Sequence, residues 1–418
     1  MIIAVACGLV GLASLPYWLP RVVVTLRMWL FARINGTEGI PVPGELVDPT
    51  RFLELYSDPA ANGRSRGAVL SDLFWYWLSP GAHLHQEHLE PGPRYDEVAR
   101  CTRRVLTMST RTADRLVTES LDAALPAGTG LVRIRDLVMP VWAEFYHRVV
   151  FGRPGTEAAR ALIVGNAHDV ITALKCTGLR HMGRRDRLTS YLEGALDEVP
   201  HDLPTVFDRH ERALYLQGTF FNTAVVQSSE ATAHVLMVLA GDAALQAKAA
   251  ADEATLDRVL DDALHRYPLF GVAHRITTAE IALPDGPVIA SGSVLCFSYP
   301  DYHRAGGHIP FGVPANRPCP AWHLAPVTVR ALTRELLARF VFATTAAHTR
   351  AIPNRGPCLM NRRGTRVPGR VAALVYLRLR DRWEDVWRSL VQLVLGTVMV
   401  WQARRLRLCT RYFERSPT

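Results

Sequence analysis

The segment Pro310–Ala325, PFGVPANRPCPAWHLA, constrains the fold more than any other stretch of the chain. Cys319 stands in it between Pro318 and Pro320, two residues after Arg317, and a helical pattern starts directly behind it at about Ala321. The two prolines fix φ and remove backbone donors, so this loop is stiff. A sulfur held in front of a helix meets unpaired N–H groups and the positive end of the helix dipole, which stabilise a thiolate. A fixed thiolate kept from water is a strong axial ligand for haem iron. The plainer alternative is a buried structural thiol.

Around this loop the periodicity is mostly helical. Apolar spacing predicts helices over 95–125, 134–152, 156–175, 184–198, 207–241, 257–267 and 325–342, with a further helical stretch over 50–64. The run ITTAEIALPDGPVIASGSVLCFS alternates instead, and is broken at Asp285-Gly286 and at Gly292, which predicts a small β-hairpin region. Pro353, Gly356, Gly364, Pro368 and Gly369 punctuate 343–380 and leave only short strand-like pieces. The expected fold class is therefore mainly α with a small β part late in the chain.

Four segments, in order across residues 215–345, resemble the cytochrome P-450 superfamily of haem-thiolate enzymes. The cysteine loop is similar to the signature F-x-x-G-x-R-x-C-x-G followed by x-x-L-A, with Phe311, Arg317, Cys319, Ala321, Leu324 and Ala325 in recognisable places. Asp262–Leu269, DALHRYPL, resembles the helix end E-T-L-R-L-Y-P-P. The run VIASGSVLCFSYPDYHR resembles a segment that ends in His-Arg, here His303-Arg304. Gln227–Thr232, QSSEAT, resembles the acid-threonine stretch of the long helix that crosses the haem face. The resemblance implies a shortened P-450-like fold holding haem b, with Cys319 as iron ligand. Arg275, Arg317, Phe311 and His265 become the candidate cofactor-binding residues, the arginines as partners for the propionates. Glu230 and Thr232 become the candidate proton-handling residues.

The departures are specific. Phe311 lies one residue too far from Cys319, and Ala321 replaces the final glycine. The E-x-x-R pair becomes Asp262-x-x-His265, and the meander loop that normally precedes the cysteine is missing; removing one member of a buried charge network strands the others, so the two losses belong together. Ala231 stands where a threonine follows the acid, and Thr232 is displaced by about 100° around the helix. No early β-hairpin is recognisable between 58 and 95. His83, His85 and His88 lie in a Gly/Pro-punctuated turn without an HExxH pattern, and are expected at the surface or on the propionate side rather than on a metal.

The implied activity is oxidation of a lipophilic small molecule, in the setting of specialised metabolism. Electrons would come from an external ferredoxin or flavoprotein reductase, because Gly128-x-Gly130 lacks the strand–turn–helix context of a nucleotide site. A peroxide-driven variant is open, given Ala231. The accumulated departures also leave a second reading, a catalytically degenerate scaffold that recruits or stabilises a partner enzyme at the membrane.

The two ends set the organisation. Met1–Pro20 carries no charge and is followed by Arg21, Arg27 and Arg33, which predicts a membrane anchor over 1–33 with the body on the cytoplasmic side, or a helix packed on the body. The body is expected over 34–382. Over 383–418, Trp383, Trp387 and Trp401 flank the apolar run SLVQLVLGTVMVWQA, which suits a helix in the membrane interface or a buried one. The net charge of +9 comes almost wholly from arginine, since Lys175 and Lys248 are the only lysines; the skew suggests a GC-rich, actinobacterial-type source. Scattered arginines do not make a nucleic-acid stripe. Seven cysteines without a CxxC pair argue against a disulfide framework or structural zinc.

Overall fold

A computed structural model describes residues 2–36, 39–64, 69–283, 286–365 and 368–415. The predicted break at Asp285 lies outside the described residues.

The chain opens with α1 (Ile2–Asn35), then β1 (Ile40–Val42), α2 (Phe52–Ser57) and α3 (Val69–Leu78). The expected helix over 95–125 is two helices, α4 (Pro93–Leu106) and α5 (Thr110–Ala124). The break has a local cause: Ser109 caps α5, its Oγ accepting from the Thr112 N–H at 3.1 Å. Strand β2 (Gly130–Arg133) leads into α6 (Ile134–Phe151), α7 (Glu157–Leu174), α8 (Met182–Gly194) and α9 (Arg209–Leu216). A π-helical stretch, Gln217–Ala224, joins α9 to α10 (Val225–Gly241), so the predicted 207–241 helix is continuous but widened in the middle. Helices α11 (Ala243–Ala251) and α12 (Glu253–Arg266) follow.

The late β region consists of β3 (Val272–Ile276), β4 (Ile281–Ala282), β5 (Val288–Ile289) and β6 (Val294–Ser298). Short α13 (Tyr299–Arg304) precedes the cysteine loop, and α14 (Leu324–Arg339) comes out of it. The chain ends with β7 (Phe340–Ala343), β8 (Pro357–Arg362), α15 (Arg370–Leu406) and α16 (Leu408–Arg415). Helix α15 begins well before the expected position 383.

Helices α6 and α10 are apolar on nearly every face and are buried accordingly. They pack on α5, α12 and α14 to form the main core. A second, smaller core gathers Phe52, Tyr56, Phe297 and Tyr302 under the sheet of order β1-β6-β3, in which β6 pairs β3 antiparallel with Arg275 opposite Leu295. The early hairpin absent from the sequence reading is reduced to β1 beside β6 and one bridge, Gly63 to Ile276. Gly63 is needed there, because a Cβ would lie 2.4 Å from the Ile276 carbonyl oxygen.

Candidate functional site

The cysteine loop is shaped by its own backbone. Gly312 at φ 71° and Arg317 at φ 54° turn the chain, Val313 bridges Asn316, and Asn316 Nδ2 donates to the Tyr56 carbonyl. The Cys319 N–H donates to the Phe311 carbonyl at 2.8 Å, and the Trp322 N–H donates to the Cys319 carbonyl at 3.1 Å. Phe311 thus acts on the cysteine through its carbonyl, while its ring packs against the main core. The sulfur accepts from the Ala321 N–H, which favours the thiolate, but burial dominates and pushes the thiol up to about 11. A positive group in the pocket is therefore needed to ionise it at neutral pH.

Arg275 and Arg317 converge near this loop, and a third buried arginine, Arg64, donates its backbone N–H to Glu90 Oε2 at 3.1 Å. Arg275 on β3 is 2% exposed and bonds Glu87 Oε1 at 2.7 Å and the Tyr56 hydroxyl at 3.3 Å. Arg317 donates to the carbonyls of Gln86 and Leu89 and lies 4.1 Å over the Tyr95 ring. Arg64 follows the Gly63 bridge and is 1% exposed. All three guanidinium nitrogens of Arg64, Nε of Arg275, and Nε and Nη2 of Arg317 have no hydrogen-bond partner among the described residues. Buried charged donors left open in this way are costly unless an anion meets them.

The His-rich turn is not at the surface. His85, Glu87 and Cys319 lie deep in the fold and still keep accessible side-chain area, so they border an internal hollow. His85 Nε2 is 3.0 Å from Thr223 Oγ1 on the π-helical stretch. Burial pushes the Glu87 carboxyl up despite Arg317 and His85 beside it. His88 is fully buried, and burial pushes its imidazole well below the usual range. The sequence reading named His83, His85 and His88 for the surface or the propionate side, and missed Glu87 because the segment reads as a polar turn.

Tyr146 on α6 is 3.0 Å from Ser228 Oγ on α10, and burial raises its phenol to about 12. Glu230 is bonded by Arg135 Nη1 at 2.6 Å and Lys175 Nζ at 2.9 Å, with 6% of its side chain exposed. Burial alone would raise its pKa, but the two cations outweigh that and hold the carboxyl below its ordinary range. Glu230 is thus a fixed anion rather than a neutral acid. Thr232 is committed elsewhere: its hydroxyl donates to the Ser228 carbonyl at 2.8 Å and accepts from Trp142 Nε1 at 3.1 Å. That geometry gives Thr232 a packing contact with α6 in place of the expected proton-handling role, for the displacement of one residue turns it around the helix.

His265 also departs from expectation. Its ring stacks on His303 with centroids 5.4 Å apart, and its carbonyl is 3.0 Å from His303 Nδ1. His303 Nε2 in turn accepts from the Ile309 N–H at 3.0 Å. An imidazole stack therefore stands at the Asp262-x-x-His265 helix end, and His265 joins it rather than the arginines. Asp262 pairs at the surface with Arg266. Among the described residues no group of three or more metal-ligating side chains could hold a metal ion.

The donor set fits haem: one sulfur on a stiff loop, and buried arginine N–H groups still open for two carboxylates. No family model matches the sequence, and no curated protein matches it. Solved structures do match, and the fold is that of the cytochromes P450. The similar structures include a six-coordinated cytochrome P450 from Thermus thermophilus (TM-score 0.57, 14% identity, 74% of this chain and 90% of that one). A variant of cytochrome P450 OleT solved with arachidonic acid gives TM-score 0.61 at 12% identity, over 76% of this chain and 88% of that one. Cytochrome P450SPα solved with (R)-ibuprofen gives TM-score 0.63 at 13% identity, over 75% and 89%.

Proposed function

We propose that this chain is a haem-thiolate oxidase acting on a lipophilic small molecule in specialised metabolism. The observation that carries the reading is Cys319, on a proline-stiffened loop at the head of α14, beside buried arginines with open donors. Haem b would be held by the Cys319 sulfur, with Arg64, Arg275 and Arg317 receiving the propionates. When bound, the iron supplies oxygen activation, with electron density from the thiolate favouring O–O cleavage. Electrons would come from an external ferredoxin or flavoprotein.

The chain's own residues set the proton supply. Lys175 Nζ carries the proton nearest Glu230 Oε2, and burial lowers the ammonium's pKa, which makes that proton easier to release. Glu230, held ionised, fixes the Lys175 ammonium in place and is not itself the proton donor. Neighbouring folds were solved with arachidonic acid, myristic acid and (R)-ibuprofen, all lipophilic acids, which supports a lipophilic substrate.

The test is the absorption spectrum of the purified protein, reduced with dithionite under carbon monoxide. A strongly red-shifted Soret band that is lost in Cys319→Ala supports the reading; an unchanged band in that variant rejects the ligand assignment. One observation favours the second reading, a scaffold without haem: Glu87 already places a carboxylate on Arg275. A folded protein with no haem at stoichiometric level, bound to a partner enzyme, is the result that reading requires.

A further inference from the structure

The two long terminal helices lie side by side. Arg382 stacks 4.8 Å over the Tyr17 ring, Arg27 Nη1 donates to Gln392 Oε1 at 2.9 Å, and Phe31 packs onto Gly396. Each pair is separated by the same 365 residues, so α1 and α15 run parallel in fixed register. That register places the uncharged stretch of α1 beside the charged stretch of α15, Arg378–Arg388, and the arginine-bearing half of α1 beside the apolar half of α15. No stretch of the pair longer than about two turns is therefore uncharged on both helices. Among the described residues no helix is long and apolar enough to cross a membrane.

The outer face of the pair is apolar. Leu379, Trp383, Trp387, Leu390, Val394 and Trp401 recur at steps of three, four and seven on α15 and are all exposed, Trp387 by 70%. They form one stripe about 33 Å long. On α1, Tyr17, Trp18 and Trp29 are exposed as well. The charge around this face is positive: the two helices hold ten arginines against three acids, and Asp381, Glu384 and Asp385 each have an arginine partner.

We infer that the α1/α15 pair is a platform that lies flat in the interface of a bilayer containing anionic lipids, rather than a transmembrane anchor. Tryptophans sit at the head-group level, and arginines beside them meet lipid phosphates. The same platform reaches the site: Gln392 Nε2 donates to the Lys175 carbonyl at 2.7 Å, one residue side chain away from Glu230.

The test uses the full chain and defined vesicles, and reads binding without haem or turnover, so it stands apart from the oxidase proposal. Flotation is compared on phosphatidylcholine vesicles with and without about 30% phosphatidylglycerol. The protein is expected to float with the anionic vesicles and to lose binding as salt rises. Its tryptophan emission should shift to the blue, and bromines near the head groups should quench it more than bromines near the bilayer centre. The exposed-face triple variant Trp383→Ser/Trp387→Ser/Trp401→Ser, with unchanged circular dichroism, should bind about tenfold more weakly or worse. Failure of the natural chain to float, equal binding by the variant, or strongest quenching at the bilayer centre would each overturn the inference. So would a vesicle-independent dimer in sedimentation that shields the same tryptophans.

Discussion

Glu87 Oε1 lies 2.7 Å from Arg275 Nη1, deep in the fold and beside the loop that carries Cys319. The contact means that the protein supplies a carboxylate where the proposed cofactor would bring its own. Arg275 is nearly inaccessible, so its charge has little water to fall back on.

Replacing Glu87 by Gln should therefore have two opposite effects. The haem-free protein should lose about 1–3 kcal/mol of stability in urea, because Arg275 loses its charged partner. Haem titrated into it should bind more tightly than to the natural chain, because the arginines no longer have to exchange partners. A weaker haem affinity would show that Glu87 assists the cofactor instead.

Cys319→Ala should leave the fold in place, since the thiol borders a hollow and is not a tightly packed core group. Circular dichroism and the urea midpoint should change little, while the thiolate spectrum should vanish.

Gly63→Ala should be destabilising although glycine to alanine is a small change. The new Cβ would lie 2.4 Å from a backbone oxygen of β3, which cannot move without displacing Arg275. A loss of about 2 kcal/mol is expected, with haem retention falling in parallel. A stability equal to that of the natural chain would mean the bridge is dispensable.

Glu230→Gln should leave Arg135 and Lys175 facing each other without an anion. The cost expected from breaking such a buried set is about 3–5 kcal/mol, measured by denaturant unfolding. Glu230→Asp, which keeps the charge, should recover part of the loss.

Acid should destabilise the fold before the carboxylates titrate. Burial holds His234 at about 3, and His274 and His348 at about 4, against an ordinary value near 6.5. Between these limits the unfolded chain binds more protons than the folded one, so stability falls as pH falls. His234 and His274 each remove about 1.4 kcal/mol per pH unit in that window, and the part-exposed His348 removes less because solvent screens it. Urea midpoints from pH 7 down to pH 5 should drop steeply, and His348→Gln should flatten the curve.

Much of the helical frame was legible because apolar periodicity is local and strong, as in α7, α12 and α14. Boundaries failed where a side chain intervened, as with the Ser109 cap that splits 95–125. Cys319 and Arg317 could be singled out because proline, glycine and arginine fix a loop within a few residues, whereas Arg275 was named from the family resemblance alone. His85 was named with surface and propionate side both left open, and Glu87 was not named, because a polar turn looks the same whether it faces solvent or the interior. His265 and Thr232 were placed by analogy with a pattern the chain no longer keeps, and the His303 stack and the Trp142 contact give them other work.

The sequence by itself determined a mainly helical chain, a rigid cysteine loop ahead of a helix, and two apolar ends flanked by arginine. Those properties depend on neighbours along the chain. Only the tertiary structure decided that Arg275 and Arg317 converge on Glu87, that Glu230 is locked between Arg135 and Lys175, and that the ends run parallel in one register. Those relationships join residues scores to hundreds of positions apart, and their energy comes from burial and charge pairing that exist only once the core has closed.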